Sequence, residues 1–244
     1  MSAMKRTLST SARLTLELIR DRRLAAQMLV LPTLLLTLLY FVYRDYPGFT
    51  IVAQMLLGLM PMVMMFIVAA VAVQRERTAG SLERLWTTCL THTELLVGYA
   101  LAFGGFAVVQ AAVMLGVAHQ ALGVDPPSGV LGTAVVSLLS GVTGAVLGLV
   151  AGSFSRNEFQ AVQMVPLVIG PQLFLSGIFV PTAAMPRALQ WFSDSLPLTY
   201  AVKAQQHLAV ENSVYSGFGT DMLILSGFSL GGLVMAALFM QRRT

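Results

Sequence analysis

Six of the 26 charged side chains of this 244-residue chain lie in one short stretch, residues 75–94, which reads RERTAGSLERLWTTCLTHTE. Its arginines and glutamates fall at spacings that suit a helix, so the chemistry that the stretch favours is ion pairing. It lies between two of the most apolar segments of the sequence. Because the chain has only 15 Lys and Arg and 11 Asp and Glu, this concentration of charge makes the stretch the first candidate site.

Local signals predict that the same stretch is ordered. Gly80 interrupts it, and Ser81 is suited to cap a new helical turn through residues 82–85. Residues 91–94, THTE, form a capping-box pattern directly before the next apolar run. We therefore predict a short helix over residues 75–86 and a defined helix start afterwards. On charge pattern alone, a solvated connector whose arginines set the membrane topology is the preferred alternative.

The composition is that of an integral membrane protein. Hydrophobic residues make up 56% of the chain and charged residues 11%, whereas about a quarter of the residues of soluble domains are charged. Long uncharged runs separate the charges, and each is long enough for a spanning helix of about 20 residues. We predict an all-α fold with one membrane domain over residues 1–244 and six spans, at residues 24–43, 50–73, 95–118, 129–154, 160–180 and 222–240.

The distribution of Lys and Arg predicts the orientation. If six spans alternate from an inside N-terminus, 12 of the 15 basic residues lie inside, and only Arg44, Arg187 and Lys203 lie outside. By the positive-inside rule, both termini are expected in the cytoplasm. The net charge of +4 then reflects topology, and it does not indicate binding of nucleic acid.

Residues 5–22 form an amphipathic pattern before the first span. Leu8, Leu16 and Ile19 share one helical face, and Arg13 and Glu17 share another. We predict an interfacial helix whose basic face meets anionic headgroups and whose apolar face enters the membrane boundary. An ordinary cytosolic helix is the alternative.

The longest predicted outer segment follows the fifth span. Pro186 is suited to open a helix, which Pro197 ends, and Trp191 and Tyr200 are suited to the headgroup level. We predict outer re-entrant helices over residues 183–212, as one or two short helices in or on the outer leaflet.

Small and polar residues within the spans predict helix contacts. Gly144, Gly148 and Gly152 recur at every fourth position and allow another helix backbone to approach closely, within or between subunits. Glutamine side chains should face protein or a cavity, because an unpaired amide facing lipid is costly. The polar and flexible side chains that we take as candidates for a substrate path are Gln27, Gln54, Met62, Met65, Gln172 and Ser176.

Two longer segments resemble the permeases of ABC type-2 transporters. The segment QRERTAGSLERLWTTCLTHTELLVGYALA, residues 74–102, is similar to their coupling-helix region, where a run of the type E-R-E-x-G-[ST]-L-E-x-L leads into a span. The segment LSGIFVPTAAMPRALQWFSDSLPLTYAVKA, residues 175–204, is similar to their passage from the fifth span into the outer re-entrant helices. Leu196 stands where this family usually has Asn. The resemblance covers essentially the whole chain.

This resemblance implies a function and partners. The sequence contains no Walker A motif, so we expect ATP and Mg to be held by separate ABC ATPase subunits, two copies beneath two permease chains. The family implies export across the plasma membrane of a prokaryote, and the apolar, Met-bearing spans suggest a hydrophobic or amphipathic cargo. The coupling helix would sit in a cleft on the ATPase. Its candidate residues are Arg75, Glu76, Arg77, Gly80, Ser81, Leu82, Glu83, Arg84 and Leu85.

Other functions fit the sequence less well. GFSLG, residues 227–231, matches the G-x-S-x-G pattern of serine hydrolases, but it lies inside an apolar span rather than between a strand and a helix. An ion-coupled secondary transporter usually carries a charge within a span, and no charge lies well inside the six predicted spans, although a channel lined by backbone carbonyls needs none. Cys89 is the only cysteine, which excludes an intrachain disulfide and a cysteine-based metal cluster. No catalytic residue and no metal site is predicted.

Overall fold

The computed structural model of the chain describes residues 3–43, 48–78, 92–124, 129–209 and 217–241. Within these residues every regular element is helical. The helices are α1 (Ala3–Arg20), α2 (Arg22–Tyr43), α3 (Phe49–Thr78), α4 (His92–Gly116), α5 (Val130–Phe154), α6 (Glu158–Leu175), α7 (Arg187–Asp194), α8 (Pro197–Leu208) and α9 (Phe218–Gln241). A π-helical turn, Val117–Ala121, extends α4, and a 3-10 turn, Thr182–Ala184, precedes α7.

Among the described residues, five helical segments are long and apolar enough to cross a membrane: Arg22–Tyr43, Phe49–Glu76, Val97–Ala121, Val130–Phe154 and Phe218–Ala236. They correspond to five of the six predicted spans. The predicted fifth span, residues 160–180, corresponds to α6, which is not one of these five segments. That α6 also crosses the membrane stays a prediction.

Two predicted boundaries differ from the structure. Helix α6 ends at Leu175 instead of residue 180, and shortly after it Gly177 takes a φ of +92°, which side chains other than that of glycine rarely adopt. Helix α3 continues to Thr78 without a break, so Arg75 and Glu76 belong to the second spanning segment rather than to a separate helix. The rest of the predicted helix over residues 75–86 lies outside the described residues.

Helix α3 occupies the centre of the bundle, and its closest neighbour is α5. The three glycines of α5 cause this close approach, because added methyl groups at Gly144 and Gly148 would overlap the carbonyl oxygens of Met62 and Phe66. At Gly152 an added Cβ would lie 2.6 Å from the carbonyl oxygen of Ala70. The stripe of small residues therefore packs within the chain, against α3.

Helix α8 is packed into the bundle instead of lying on its surface. The side chains of Leu198, Ala201 and Val202 are fully buried against neighbouring helices. The Gln205 amide donates to the Thr133 carbonyl oxygen at 3.3 Å and to the Ser137 hydroxyl at 3.1 Å, both on α5. Polar contacts of this kind fix one helix against another where the surroundings are otherwise apolar.

Replacement of Gly148 by Ala tests this packing. Because the added methyl group meets backbone rather than a flexible side chain, we expect a loss of about 1–3 kcal/mol in the free energy of unfolding. Gly104→Ala is the matched control on α4, since a Cβ there would have only Val142 nearby, at 4.0 Å. Thermal unfolding in detergent should show a lower midpoint for Gly148→Ala and an equal or higher midpoint for Gly104→Ala. Equal midpoints for the two variants would contradict the packing argument.

Candidate coupling site at the end of helix α3

Two adjacent residues near the end of α3 connect it to its neighbours at one end of the bundle. Arg75 and Glu76 point in directions about 100° apart on the helix, so they reach different partners. Arg75 faces the junction of α1 and α2 and the start of α6, and Glu76 faces α1 and α4. These contacts join five helices at the end of the apolar segment of α3.

Glu76 is a buried carboxylate with only 2% of its side chain exposed. The guanidinium of Arg13 on α1 donates to its Oε1 at 2.6 Å, and the hydroxyl of Tyr99 on α4 donates to its Oε2. Tyr99 is itself fully buried and stacks on Phe103 one turn further along α4. The three side chains form one hydrogen-bonded unit across α1, α3 and α4.

Arg75 lies in a more open position on an adjacent face of α3. Its Nη1 lies 2.5 Å from the Asp21 carboxylate, and its Nε lies 3.0 Å from the Glu158 carboxylate at the first turn of α6. The hydrogen bond from Arg75, assisted by the backbone N–H of Leu24, lowers the pKa of Asp21 below its usual value. Asp21 therefore keeps its charge on acidification, and its ion pair is lost only as the pH falls through this lowered pKa.

These two sets of ion pairs differ in their effect on stability. Arg75 and Glu158 are about half exposed, and such surface pairs contribute about 0–1 kcal/mol each. Glu76 is buried, and a buried charge that loses a partner destabilises a protein much more, by about 3–5 kcal/mol in fully buried pairs. Arg13 is 40% exposed, so we expect the loss of stability on breaking its pair with Glu76 to lie at the lower end of that range. Glu76 is thus the residue on which the arrangement depends, whereas Arg75 sets the orientation of its neighbours.

Close packing of α1 on α4 holds this unit in place. An added Cβ at Gly98 would lie 3.0 Å from the methyl group of Thr10, so the two helices are in close contact at this glycine. Leu14 and Leu18 of α1 are buried on the same side of the helix. The amphipathic N-terminal segment therefore packs one face on the bundle, and Arg13 reaches Glu76 from the edge of that face.

The structure brings together only part of the predicted coupling set. Arg75 and Glu76 are neighbours in the site, Arg77 continues the α3 backbone, and residues 79–91 lie outside the described residues. Sequence reasoning missed the partners Arg13, Asp21, Tyr99 and Glu158. A buried tyrosine and acidic residues on distant helices carry no local signal of a shared site. The amphipathic pattern of residues 5–22 predicts that Arg13 meets anionic headgroups, and it does not indicate that this charge pairs with α3.

The candidates for a substrate path are not brought together into one cavity. Met62 and Met65 are fully buried in the core, and Gln54 accepts a hydrogen bond from Thr133. Ser176 is buried and donates to the carbonyl oxygen of Leu173, while Gln27 is exposed on α2.

Gln172 differs from the other path candidates, since it lies on an open cavity of about 830 Å³ between α5, α6 and α9. Its amide donates to the carbonyl oxygen of Val168, and its side-chain oxygen accepts from the backbone N–H of Leu198. The cavity walls are otherwise mainly apolar, with Phe228 and Met235 among them. A cavity of this volume is in the range of sites for small organic ligands, roughly 300–1,000 Å³.

The motif residues between α6 and α9 have clear structural positions. Pro186 precedes the first residue of α7, and Pro197 is the first residue of α8. Trp191 is 73% exposed on α7. Tyr200 donates to the carbonyl oxygen of Asp194 at 2.6 Å and thereby ties α8 back to α7. Two short helices thus occupy the segment, and their location in an outer leaflet stays a prediction.

Ser229 of the GFSLG segment lies in the middle of α9, and its hydroxyl lies 2.7 Å from the Thr143 hydroxyl. It also donates to the carbonyl oxygen of Leu225. The hydrogen bond between Thr143 of α5 and Ser229 of α9 gives this serine a structural role.

A helical bundle with several apolar spanning segments and a polar site at one end defines a multi-pass membrane protein. The family model described as ABC-2 type transporter matches residues 6–209, and the chain belongs to this family. The ABC transporter G family member 20 of Dictyostelium discoideum is 27% identical over 144 residues, which cover 59% of this chain and 20% of that protein. The probable multidrug ABC transporter permease YbhS of Escherichia coli K12 is 26% identical over 149 residues, 61% of this chain and 40% of YbhS. The matched region thus spans less than half of either relative.

Removal of the Tyr99 hydroxyl tests the role of the buried carboxylate. Tyr99→Phe keeps the ring and its stacking but deletes one donor to Glu76, so we expect the free energy of unfolding to fall by about 1.5–3 kcal/mol. Tyr40→Phe on α2 is the matched control, because the ring of Tyr40 packs on Phe41 and Phe49 and no hydrogen bond of its hydroxyl is found among the described residues. Thermal unfolding of both variants in the same detergent measures the difference. A Tyr99→Phe protein as stable as the control would exclude a structural role for this hydrogen bond.

Proposed function

We propose that this chain is the membrane-spanning subunit of an ABC exporter that moves a hydrophobic or amphipathic compound out of the cell. Two copies, or this chain and a related one, work with two separate ATPase subunits that hold ATP and Mg. The complex lies in the plasma membrane of a prokaryote, with both termini of this chain in the cytoplasm. The membership of the chain in the ABC-2 family supports this assignment.

The observation that carries the proposal is the buried Glu76 unit at the end of α3. The segment after α3, residues 79–91, holds the predicted contacts to the ATPase, and α3 runs without a break from the centre of the bundle to Thr78. Because Arg75 and Glu76 bind α1, α4 and α6, a displacement of the end of α3 displaces these helices as well. Closure of the ATPases would in this way rotate the helices of one permease chain against those of the other.

The open cavity between α5, α6 and α9 supports the proposed class of cargo. Its walls are mainly apolar, and Gln172 and Ser195 supply a few polar groups. Apolar walls with a small number of polar groups suit an amphipathic organic compound, such as a drug, an antibiotic or a lipid. The description of the relative YbhS as a probable multidrug permease supports this choice.

The assembly is tested by purification of this chain together with a candidate ABC ATPase from the same organism. We expect the two proteins to copurify, and we expect ATP hydrolysis by the complex to increase in the presence of one or more members of a panel of amphipathic compounds. An ATPase whose rate is the same with and without this chain, across the whole panel, would contradict the proposed function.

Replacement of Glu76 by Gln tests the transmission of movement. Gln keeps the size of the side chain but removes the charge that Arg13 binds, so we expect cargo-stimulated ATP hydrolysis to fall about five- to tenfold, a change of about 1–1.4 kcal/mol. Asp194→Asn is the matched control, since Asp194 accepts a salt bridge from Lys203 at 3.2 Å in the α7–α8 region. The control should retain normal stimulation. Equal stimulation in both variants would remove Glu76 from the coupling site.

Charge reversal in the predicted coupling helix tests the contact with the ATPase. Because Glu83 and Arg84 lie beyond the end of α3, we expect Glu83→Lys or Arg84→Glu to weaken copurification of the ATPase or coupled transport while membrane insertion persists. The measurements are the yield of the complex and of the membrane-inserted chain alone. Normal assembly and normal transport in both variants would contradict the assignment of these two residues.

A further inference from the structure

The start of helix α8 forms part of the wall of the open cavity between α5, α6 and α9. Ser195 and Leu196, directly before this helix, and its first residue, Pro197, line the cavity. The backbone N–H of Leu198 donates at 3.3 Å to the side-chain oxygen of Gln172, which lines the same cavity. The shape of the cavity therefore depends on where α8 lies.

Near its other end, α8 is bound to the bundle through the fully buried amide of Gln205. The amide donates to the Ser137 hydroxyl at 3.1 Å and to the Thr133 carbonyl oxygen at 3.3 Å, both on α5. The Ser137 hydroxyl in turn donates to the carbonyl oxygen of Leu57 on α3 at 2.7 Å. A chain of hydrogen bonds thus connects α8, through α5, to α3.

A proline explains why the Leu57 carbonyl oxygen needs a partner from another helix. In a regular helix this oxygen accepts from the backbone N–H four residues later, but that residue is Pro61, which has no N–H. The hydroxyl of Ser137 supplies the missing donor. The chain of hydrogen bonds from α8 therefore ends at the point where α3 cannot complete its own.

Helix α8 also lies directly against the backbone of α3 at Gly58. A Cβ added there would lie 3.0 Å from the Cγ atom of Gln205 and 3.2 Å from the carbonyl oxygen of Ala201. Because close-packed interiors transmit displacement, a movement of α3 at this level displaces α8 as well. Gly58 belongs to the same unbroken helix as Glu76 of the coupling site.

Stability does not explain why an amide occupies position 205. The Oε1 atom of Gln205 is buried, and none of the described groups donates to it, so this oxygen lowers the stability of the fold. Its two partners do not require the amide. The Thr133 carbonyl oxygen also accepts from the backbone N–H of Ser137 within α5, and the Ser137 hydroxyl keeps its bond to Leu57. An apolar side chain of similar size would thus leave no polar group unpaired, and residues that are locally unfavourable in this way are expected at functional sites.

We propose that Gln205 is a positioning residue, which holds α8 on α3 and α5 so that the α8 wall of the cavity follows the movement of α3. This inference rests on the proposed function, because it takes the cavity as the site of the cargo. It adds a path inside the chain, from Glu76 along α3 to Gly58 and through α8 to Pro197 at the cavity. Gln205 acts through α8, since it is not among the residues that line the cavity.

Replacement of Gln205 by Met tests the proposal, because Met keeps the approximate size of the side chain and removes both donors. We expect the midpoint of thermal unfolding of the full chain in nanodiscs to be unchanged or higher, since the unpaired oxygen is removed as well. Saturable binding of rhodamine 6G, an amphipathic dye, should become about fivefold weaker, because a less preorganised cavity binds less tightly. Fluorescence anisotropy of the dye measures this affinity.

The position of α8 is measured on the same chain without ATPase or dye. Spin labels are attached through His207→Cys on α8 and Phe154→Cys at the end of α5, both exposed positions, in a chain whose only cysteine is removed by Cys89→Ser. Double electron–electron resonance should give a wider distribution of distances for the Gln205→Met chain than for the chain with Gln205.

Gln110→Met is the matched control for both measurements. Gln110 is also a fully buried amide whose Oε1 has no donor among the described groups, and its one hydrogen bond, to the Met60 carbonyl oxygen at 3.4 Å, does not involve α8. We expect this variant to keep the narrow distance distribution and the dye affinity of the unaltered chain.

Distance distributions of equal width for the chains with and without Gln205→Met would overturn the proposal. So would a Gln205→Met chain that unfolds at a lower temperature but binds the dye normally, because that result shows a purely structural role. An unaltered chain that binds no dye would instead count against the cavity as the cargo site of the proposed function, and the spin-label distances then decide the role of Gln205 by themselves.

Discussion

One buried carboxylate constrains the whole end of this bundle. Glu76 lies where the apolar segment of α3 ends, and a charge removed from water there needs partners that compensate its desolvation. Arg13 and Tyr99 supply them, one from α1 and one from α4, so three helices are fixed relative to one another by one side chain. The neighbouring Arg75 adds α6 and the α1–α2 junction through weaker, more exposed ion pairs.

This constraint connects the other features of the structure. The close packing of α5 against α3 through Gly144 and Gly148 makes α3 the centre of the bundle. An element that is rigidly packed along its length and bound to four other elements at its end transmits a displacement instead of absorbing it. The proposed coupling to an ATPase therefore rests on packing along the spans and on charge at their end.

Much of the fold followed from composition and periodicity. Uncharged runs of about 20 residues predict spanning helices because a helix satisfies its own backbone hydrogen bonds in lipid. Five of the predicted spans correspond to segments of the structure that are long and apolar enough to cross a membrane. The end of α6 at Leu175 and the extension of α3 to Thr78 were not predicted, because a glycine turn and a continued helix leave little trace in hydropathy.

The sequence by itself determined that this is a helical membrane protein, which family it resembles, and that charge lies at the end of the second span. Hydrophobicity and local spacing are sufficient for these conclusions, because each is a property of neighbouring residues. Only the tertiary structure decided that Glu76 is bound by Arg13 and Tyr99, and that the glycine stripe of α5 packs against α3. Such pairings join residues far apart in the chain, and the packing of whole helices selects them.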